Sequence, residues 1–272
     1  MGKFDGVLLV SDYDDTLYGT DSSVSEENRT AIRHFIAEGG TFSIATGRAH
    51  TTFAPQMDRE HLTLNAPVIL SNGSAVYDFV SEKMLRQTFL PTQAAAHLEQ
   101  LARTFPALGF EAYHGEDIYV HNPNAVTWAH LRRTGVGGVS CPIAEMPLPW
   151  TKVILQQEYE LLLEIRDYLQ ERWADRYEII FSNRRLLELA AKGSTKGGAV
   201  LWLAGRLGID RRHIYCAGDN QNDIPMLAVS AVPFAPSNCA KEVKDWGATL
   251  VGSCDEHCVA QIIHILETRY SA

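Results

Sequence analysis

A short apolar run, Val7-Leu8-Leu9-Val10, stops one residue before a crowd of carboxylates, Asp12-Tyr13-Asp14-Asp15-Thr16-Leu17. The run is rich in β-branched and leucine side chains and predicts a buried strand. Carboxylates gathered at the carboxyl end of such a strand repel one another, and each is costly there unless a cation or a proton neutralises it. Two readings fit the hexapeptide by itself. One is a polar strand-to-loop turn, where Asp is common. The other is a bound Mg²⁺, a hard cation that prefers carboxylate and carbonyl oxygens, at the strand ends where open α/β sheets bind ligands.

The first third of the chain alternates strand and helix signals. Ser25-Glu26-Glu27-Asn28 opens a segment with Ala31, Ile32, Phe35 and Ile36 at helical spacing, ended by Gly39-Gly40. A strand-like Thr41-Phe42-Ser43-Ile44-Ala45, a Thr46-Gly47-Arg48 turn and another helix follow. Pro67-Val68-Ile69-Leu70 is a third apolar run, closing in Ser71-Asn72-Gly73. Such alternation predicts βαβ units and a parallel sheet.

The middle reads differently. Helical stretches, Gln93 to Arg103 and Glu160 to Arg172, interleave with strand-like Phe110 to Tyr113, Ile118 to His121, Val153 to Gln156 and Tyr177 to Ser182. Pro142, Pro147 and Pro149 punctuate a loop. This predicts an inserted α+β module. The last third returns to the first pattern: a helix from Lys196 to Leu207, a strand Ile214-Tyr215-Cys216-Ala217, and a helix from about Asp223. Ala231 to Ala235, a helix near Lys241, a short Thr249-Leu250-Val251 and a helix to about Thr268 complete it.

Composition excludes several classes. A chain of 272 residues with 46% hydrophobic and 21% charged residues is globular and long enough for two domains. The net charge of −9 argues against nucleic acid or anionic membrane as partners. A phosphate-bearing ligand must therefore be attracted locally, by a metal, a lysine or backbone N–H groups. The run before Asp12 is too short for a signal peptide, and no stretch approaches membrane-span length. The five scattered cysteines argue against a disulfide framework, so a cytoplasmic protein is expected. Cys254-Asp255-Glu256-His257-Cys258 lacks a second ligand pair at zinc-like spacing.

Three further strand ends carry polar groups. Thr46-Gly47-Arg48 offers a hydroxyl, a flexible backbone and a guanidinium, a set suited to an oxyanion; its bland reading is an ordinary Thr-Gly turn. In Gly193-Ser194-Thr195-Lys196-Gly197 a lysine opens a helix, where the helix dipole disfavours it unless an anion sits there. Gly218-Asp219-Asn220-Gln221-Asn222-Asp223 repeats the carboxylate puzzle after a convincing strand. Asp219 beside Asp12 and Asp14 would complete an oxygen set for Mg²⁺, while Asp223 could serve simply as a helix N-cap.

These four sites, in this order across the whole chain, resemble the four motifs of the haloacid dehalogenase-like superfamily of phosphotransferases. The insertion between the second and third motifs resembles the type IIB cap of the Cof-like phosphatases. Asn72-Gly73 and the segment Phe234-Ala235-Pro236-Ser237-Asn238-Cys239-Ala240 are similar to that subgroup too. The resemblance implies an α/β Rossmannoid core with a parallel sheet, built from residues 1–85 and 190–272, and an inserted α+β cap of type C2B at 86–189. The active site is then expected where cap and core meet.

It also implies roles. Asp12 becomes the nucleophile that forms an aspartyl-phosphate, and Asp14 the acid and base. Thr46 binds the transferring phosphoryl group, and Lys196 neutralises it together with Asp12. Mg²⁺ falls to Asp12, the backbone carbonyl of Asp14 and Asp219, with Asp223 in support. Arg48, Gly47, Asn72, Gly73 and Asn222 are the expected substrate contacts. Asp15 departs from the family, which usually has glycine there. His114, His121 and His130 in the insertion are read as surface or core residues.

The expected activity is Mg²⁺-dependent hydrolysis of a small phosphorylated metabolite, a sugar phosphate first, by a monomer or homodimer. A glycosyl-phosphoglycerate phosphatase and a phosphohexomutase of the same superfamily are the alternatives within the chemistry. A non-catalytic phospholigand-binding regulator is the alternative outside it, and the intact Asp12, Asp14, Lys196 and Asp219 argue against it.

Overall fold

The computed structural model describes residues 2–115 and 117–270. The chain forms two compact units. One runs to Arg48 and comprises also Phe53–Arg86 and the chain from Thr195; the other comprises Ala49–Thr52 and Gln87–Ser194.

Along the chain, β1 (Leu8–Ser11), α1 (Glu26–Ala37), β2 (Thr41–Ile44), α2 (His50–Arg59), β3 (Val68–Leu70), β4 (Ala75–Asp78) and β5 (Lys83–Gln87) come first. The second unit supplies α3 (Ala94–Thr104), β6 (Gly109–His114), β7 (Asp117–His121), α4 (Ala125–Thr134), β8 (Val139–Ser140), β9 (Lys152–Gln156), α5 (Tyr159–Trp173), β10 (Tyr177–Asn183) and β11 (Leu186–Ala191). The chain then continues through α6 (Lys196–Leu207), β12 (Ile214–Ala217), α7 (Ile224–Leu227), β13 (Pro233–Pro236), α8 (Lys241–Trp246), β14 (Thr249–Val251) and α9 (Cys258–Arg269).

In the first unit the sheet order is β14-β13-β12-β1-β2, and every pairing is parallel. β1 lies inside the sheet, with Leu8 opposite Ile214 on one side and Thr41 on the other. Because side chains alternate along a strand, Leu9 packs with Phe35 of α1 and Ile262 of α9, while Leu8 and Val10 pack with Val200 and Leu203 of α6. Helices thus cover both faces, which is why β1 reads as a continuous apolar run. Each fully buried leucine or phenylalanine is worth roughly 1.5–3 kcal/mol. The predicted start of α1 is a true cap: the Ser25 side chain accepts the Asn28 N–H. A separate sheet β3-β4-β5 adjoins the residue after β2 through an isolated parallel bridge between Ala45 and Ile69.

The second unit has the sheet order β10-β11-β9-β6-β7-β8, antiparallel except for β7 with β8. Leu98 and Leu101 of α3 and Leu162, Ile165 and Leu169 of α5 pack on Phe110, Val153, Leu155 and Leu189. Leu131 of α4 packs on the opposite side chains, Tyr113, Ile118 and Ile154. His130 of α4 is partly buried: its Nδ1 lies 3.0 Å from the fully buried Glu111, which also accepts from Gln156 and Tyr113. Among the described residues no helix is long and apolar enough to cross a membrane.

Candidate active site

The site is assembled at the carboxyl ends of parallel strands. Asp12 follows β1, and its N–H donates to the Ala217 carbonyl at the end of β12 (2.8 Å). Lys196 opens α6, and its buried side chain donates to Asp12 Oδ1 and Asp223 Oδ1, each at 2.6 Å. The other oxygen of Asp223 accepts the N–H groups of Asp219 and Asn220, both at 2.9 Å. A Cβ at Gly218 would lie 2.4 Å from the Asp223 Cβ, so this loop closes only with glycine there. Asp219 Oδ1 accepts the Thr16 hydroxyl at 3.1 Å. Thr16 is a site residue the sequence reading gave no role, although it completes the D-x-D-x-T spacing.

Asp12, Asp219 and Asp223 each place a carboxylate oxygen within 4.8 Å of the others, and all three are buried. Lys196 alone cannot balance them. Burial, then the charge of Asp223, pushes the Asp12 carboxyl up to about 7 despite Lys196. Burial, then Asp12 and Asp223, pushes Asp219 well above the usual carboxylate range. Burial works against the Lys196 charge, but Asp12 and Asp223 outweigh it and hold the ammonium above its ordinary value. Excess negative charge on hard oxygen donors fits a divalent cation such as Mg²⁺. Asp12 and Asp219 are the better placed ligands, because both Asp223 oxygens already accept from Lys196 and the loop.

Asp14 stands apart from that cluster. Its half-exposed carboxylate is gripped in a fork by Arg48, Nε to Oδ2 at 2.9 Å and a terminal nitrogen to Oδ1 at 2.6 Å. Arg48, read as a substrate contact, also lies over the Tyr13 ring at 5.3 Å. Its N–H donates to Thr46 Oγ1 at 3.1 Å, and a hydroxyl that accepts in this way still has its own proton to donate. Gly47 lies against the Asn72 amide, 3.3 Å from where a Cβ would be. Asn72 and Asn222 are both buried, and Asn222 Nδ2 donates to Asn72 Oδ1 at 3.0 Å. Gly73 packs on Thr195.

Asp15 now has a structural account. Its φ is 60°, the left-handed region, its N–H donates to Tyr18 O and its carbonyl accepts from Asn238. Glycine suits that conformation best; Asp is among the few other residues that adopt it. The side chain is exposed.

The family model for haloacid dehalogenase-like hydrolase matches residues 9–263. An HMP-PP phosphatase of Serratia proteamaculans is 27% identical over 270 residues, covering 97% of this chain and 96% of that protein. A 5-amino-6-(5-phospho-D-ribitylamino)uracil phosphatase of Bacillus subtilis is 26% identical, covering 97% of this chain and 99% of its own. Among solved structures, a haloacid dehalogenase-like hydrolase from Bacteroides thetaiotaomicron superposes with a TM-score of 0.82 at 22% identity, covering 96% of this chain and 99% of that one. A subclass IIB sugar phosphatase gives 0.82 at 19% identity, covering 96% and 98%.

Proposed function

The chain belongs to the haloacid dehalogenase-like hydrolases, and from that membership we propose that it is a Mg²⁺-dependent phosphatase that hydrolyses a small phosphomonoester through a phosphorylated aspartate. The observation that carries this reading is the buried Asp12–Lys196 pair beside Asp219 and Asp223. A carboxylate paired to an ammonium in a dry site is a nucleophile whose charge, and that of the arriving phosphoryl group, is already compensated.

The proposed steps use this chain's own groups. An Asp12 oxygen attacks phosphorus in line; the new O–P bond forms as the bond to the leaving alcohol oxygen breaks. Asp14 delivers the proton to that oxygen, then takes one from the water that hydrolyses the acyl phosphate and regenerates Asp12. Both Asp14 oxygens accept from Arg48, and each keeps a second lone pair that can take a proton. The Thr46 hydroxyl and the Lys196 ammonium hold the phosphoryl oxygens. Asp12, the Asp14 carbonyl and Asp219 would hold Mg²⁺, with Asp223 in support. The ion would supply charge neutralisation, the main requirement of phosphoryl transfer.

A sugar phosphate is the first substrate proposed. The two relatives above carry names with other substrates, so both of those compounds belong in the test. A glycosyl-phosphoglycerate and a hexose monophosphate, followed for isomer as well as free phosphate, probe the phosphatase and mutase alternatives. Residues 86–189 are proposed as the cap and 1–85 with 190–272 as the core; the compact units divide at Arg86 and Ser194, which supports this plan. A cytoplasmic location is proposed as well, supported by five cysteines free of disulfides. The deciding experiment is phosphate release across the panel with and without Mg²⁺. No turnover of any member would favour the non-catalytic regulator.

A further inference from the structure

Ser71, Asn72 and Gly73 are three consecutive residues with left-handed φ, at 49°, 54° and 99°. Two of them carry side chains, and all three are buried. Such backbone is costly and persists only where its surroundings over-determine it, most often at functional sites.

The contacts show what holds it. The Ser71 N–H donates to the Arg48 carbonyl at 2.9 Å and the Asn72 N–H to the Thr46 carbonyl at 3.0 Å. Both bonds fix the loop that carries the Thr46 hydroxyl. Asn72 Oδ1 accepts from Asn222 Nδ2 at 3.0 Å, which reaches the loop of Asp219 and Asp223. A Cβ on Gly73 would lie 2.2 Å from the Thr195 carbonyl oxygen, so the turn sits directly against the start of α6 and Lys196. The buried Asn222 Oδ1 has no hydrogen-bond partner among the described residues, so the Asn222 side chain relies on Asn72.

We infer that the Ser71-Asn72-Gly73 turn is a positioning device that sets the Thr46, Lys196 and Asn222 loops in register, and that Asn72 is a positioning residue rather than a substrate contact. The inference rests on the phosphatase reading. It replaces the role the sequence suggested for Asn72 and Gly73. The strained turn touches three loops brought from distant parts of the chain, and each of those loops carries a separate group of the site.

Asn72→Gly tests it, because glycine keeps the left-handed backbone and removes only the amide. Displacing reacting groups by about an ångström can cost on the order of a hundredfold in rate. The expected result is a fall in kcat of about tenfold to a hundredfold, with KM unchanged and the same factor for every substrate, p-nitrophenyl phosphate included. Asn222→Ala should act alike, and the double variant should be no slower than the slower single one, because the residues act as a unit. Orthovanadate, a mimic of the five-coordinate state, should bind Asn72→Gly more weakly while inorganic phosphate binds as before. Thermal unfolding of the variant checks that the fold is retained. A raised KM or an altered ranking of substrates would make Asn72 a substrate contact and overturn the inference, as would an unchanged kcat in an active enzyme. A wild-type protein that neither turns over phosphoesters nor binds vanadate overturns the phosphatase reading and the inference together.

Discussion

Lys196 Nζ lies 2.6 Å from Asp12 Oδ1, and both groups are shut away from solvent. Removing one partner of such a pair leaves the other buried and uncompensated, which typically costs about 3–5 kcal/mol. Lys196→Ala should therefore lower the unfolding midpoint as well as abolish turnover, and Mg²⁺ should restore part of the stability but not the activity. Calorimetry and phosphate release on the same preparation check both. A stable variant with normal kcat would contradict the pairing.

The pH dependence of the metal-free protein has a definite sign. Burial, then Asp223, raises the folded Asp12 pKa to about 7 from an ordinary 3.8, so the native state binds the proton more tightly than the unfolded chain. That contribution is fully present below the unfolded value and is lost as pH rises through the folded one. With chelator present, the wild-type unfolding midpoint should fall across that window more steeply than that of Asp12→Asn. Added Mg²⁺ should stabilise most at the high end of it. An equal Mg²⁺ shift at every pH would contradict this.

Much of this site was legible in the chain, and the reason is local. Each strand end combines a short apolar run with polar residues that need a partner, so Asp12, Thr46, Lys196 and Asp219 announce themselves by type and place. Non-local geometry was not legible: the fork between Arg48 and Asp14, the Thr16 bond to Asp219 and the left-handed turn at Asn72 depend on loops far apart in sequence. Likewise β11, with Leu186, Leu187, Glu188 and Ala190, is made of good helix formers and becomes a strand only because β9 and β10 flank it. α4 is signalled mainly by its Asn124 cap, since few of its residues are buried.

Thr16→Val should loosen Asp219 while leaving Asp12 and Lys196 in place. Loss of such an outer partner typically costs about tenfold to a hundredfold in metal affinity. The Mg²⁺ concentration for half-maximal activity should rise accordingly, with little change in kcat at saturating Mg²⁺. An unchanged Mg²⁺ requirement would remove Thr16 from the site.

Glu111 accepts from Tyr113, Gln156 and His130 inside the second unit. Burial raises its pKa, but the His130 interaction and the other donors outweigh this and leave it below the ordinary 4.5. A depressed carboxylate stabilises above its unfolded pKa and loses that contribution as pH falls through the folded one. Glu111→Ala should strand the buried donors, at a cost of roughly 1–3 kcal/mol, and abolish this acid sensitivity. Acid unfolding followed by tryptophan fluorescence, wild type against variant, measures both.

Trapping the intermediate tests the central claim most directly. Acid quench of the enzyme turning over its best substrate with Mg²⁺, followed by peptide mass spectrometry, should place one phosphoryl group on Asp12. Asp12→Asn should carry none and release no phosphate. An Asp12→Asn protein with full Mg²⁺-dependent activity, or a phosphoryl group on another residue, would contradict the account.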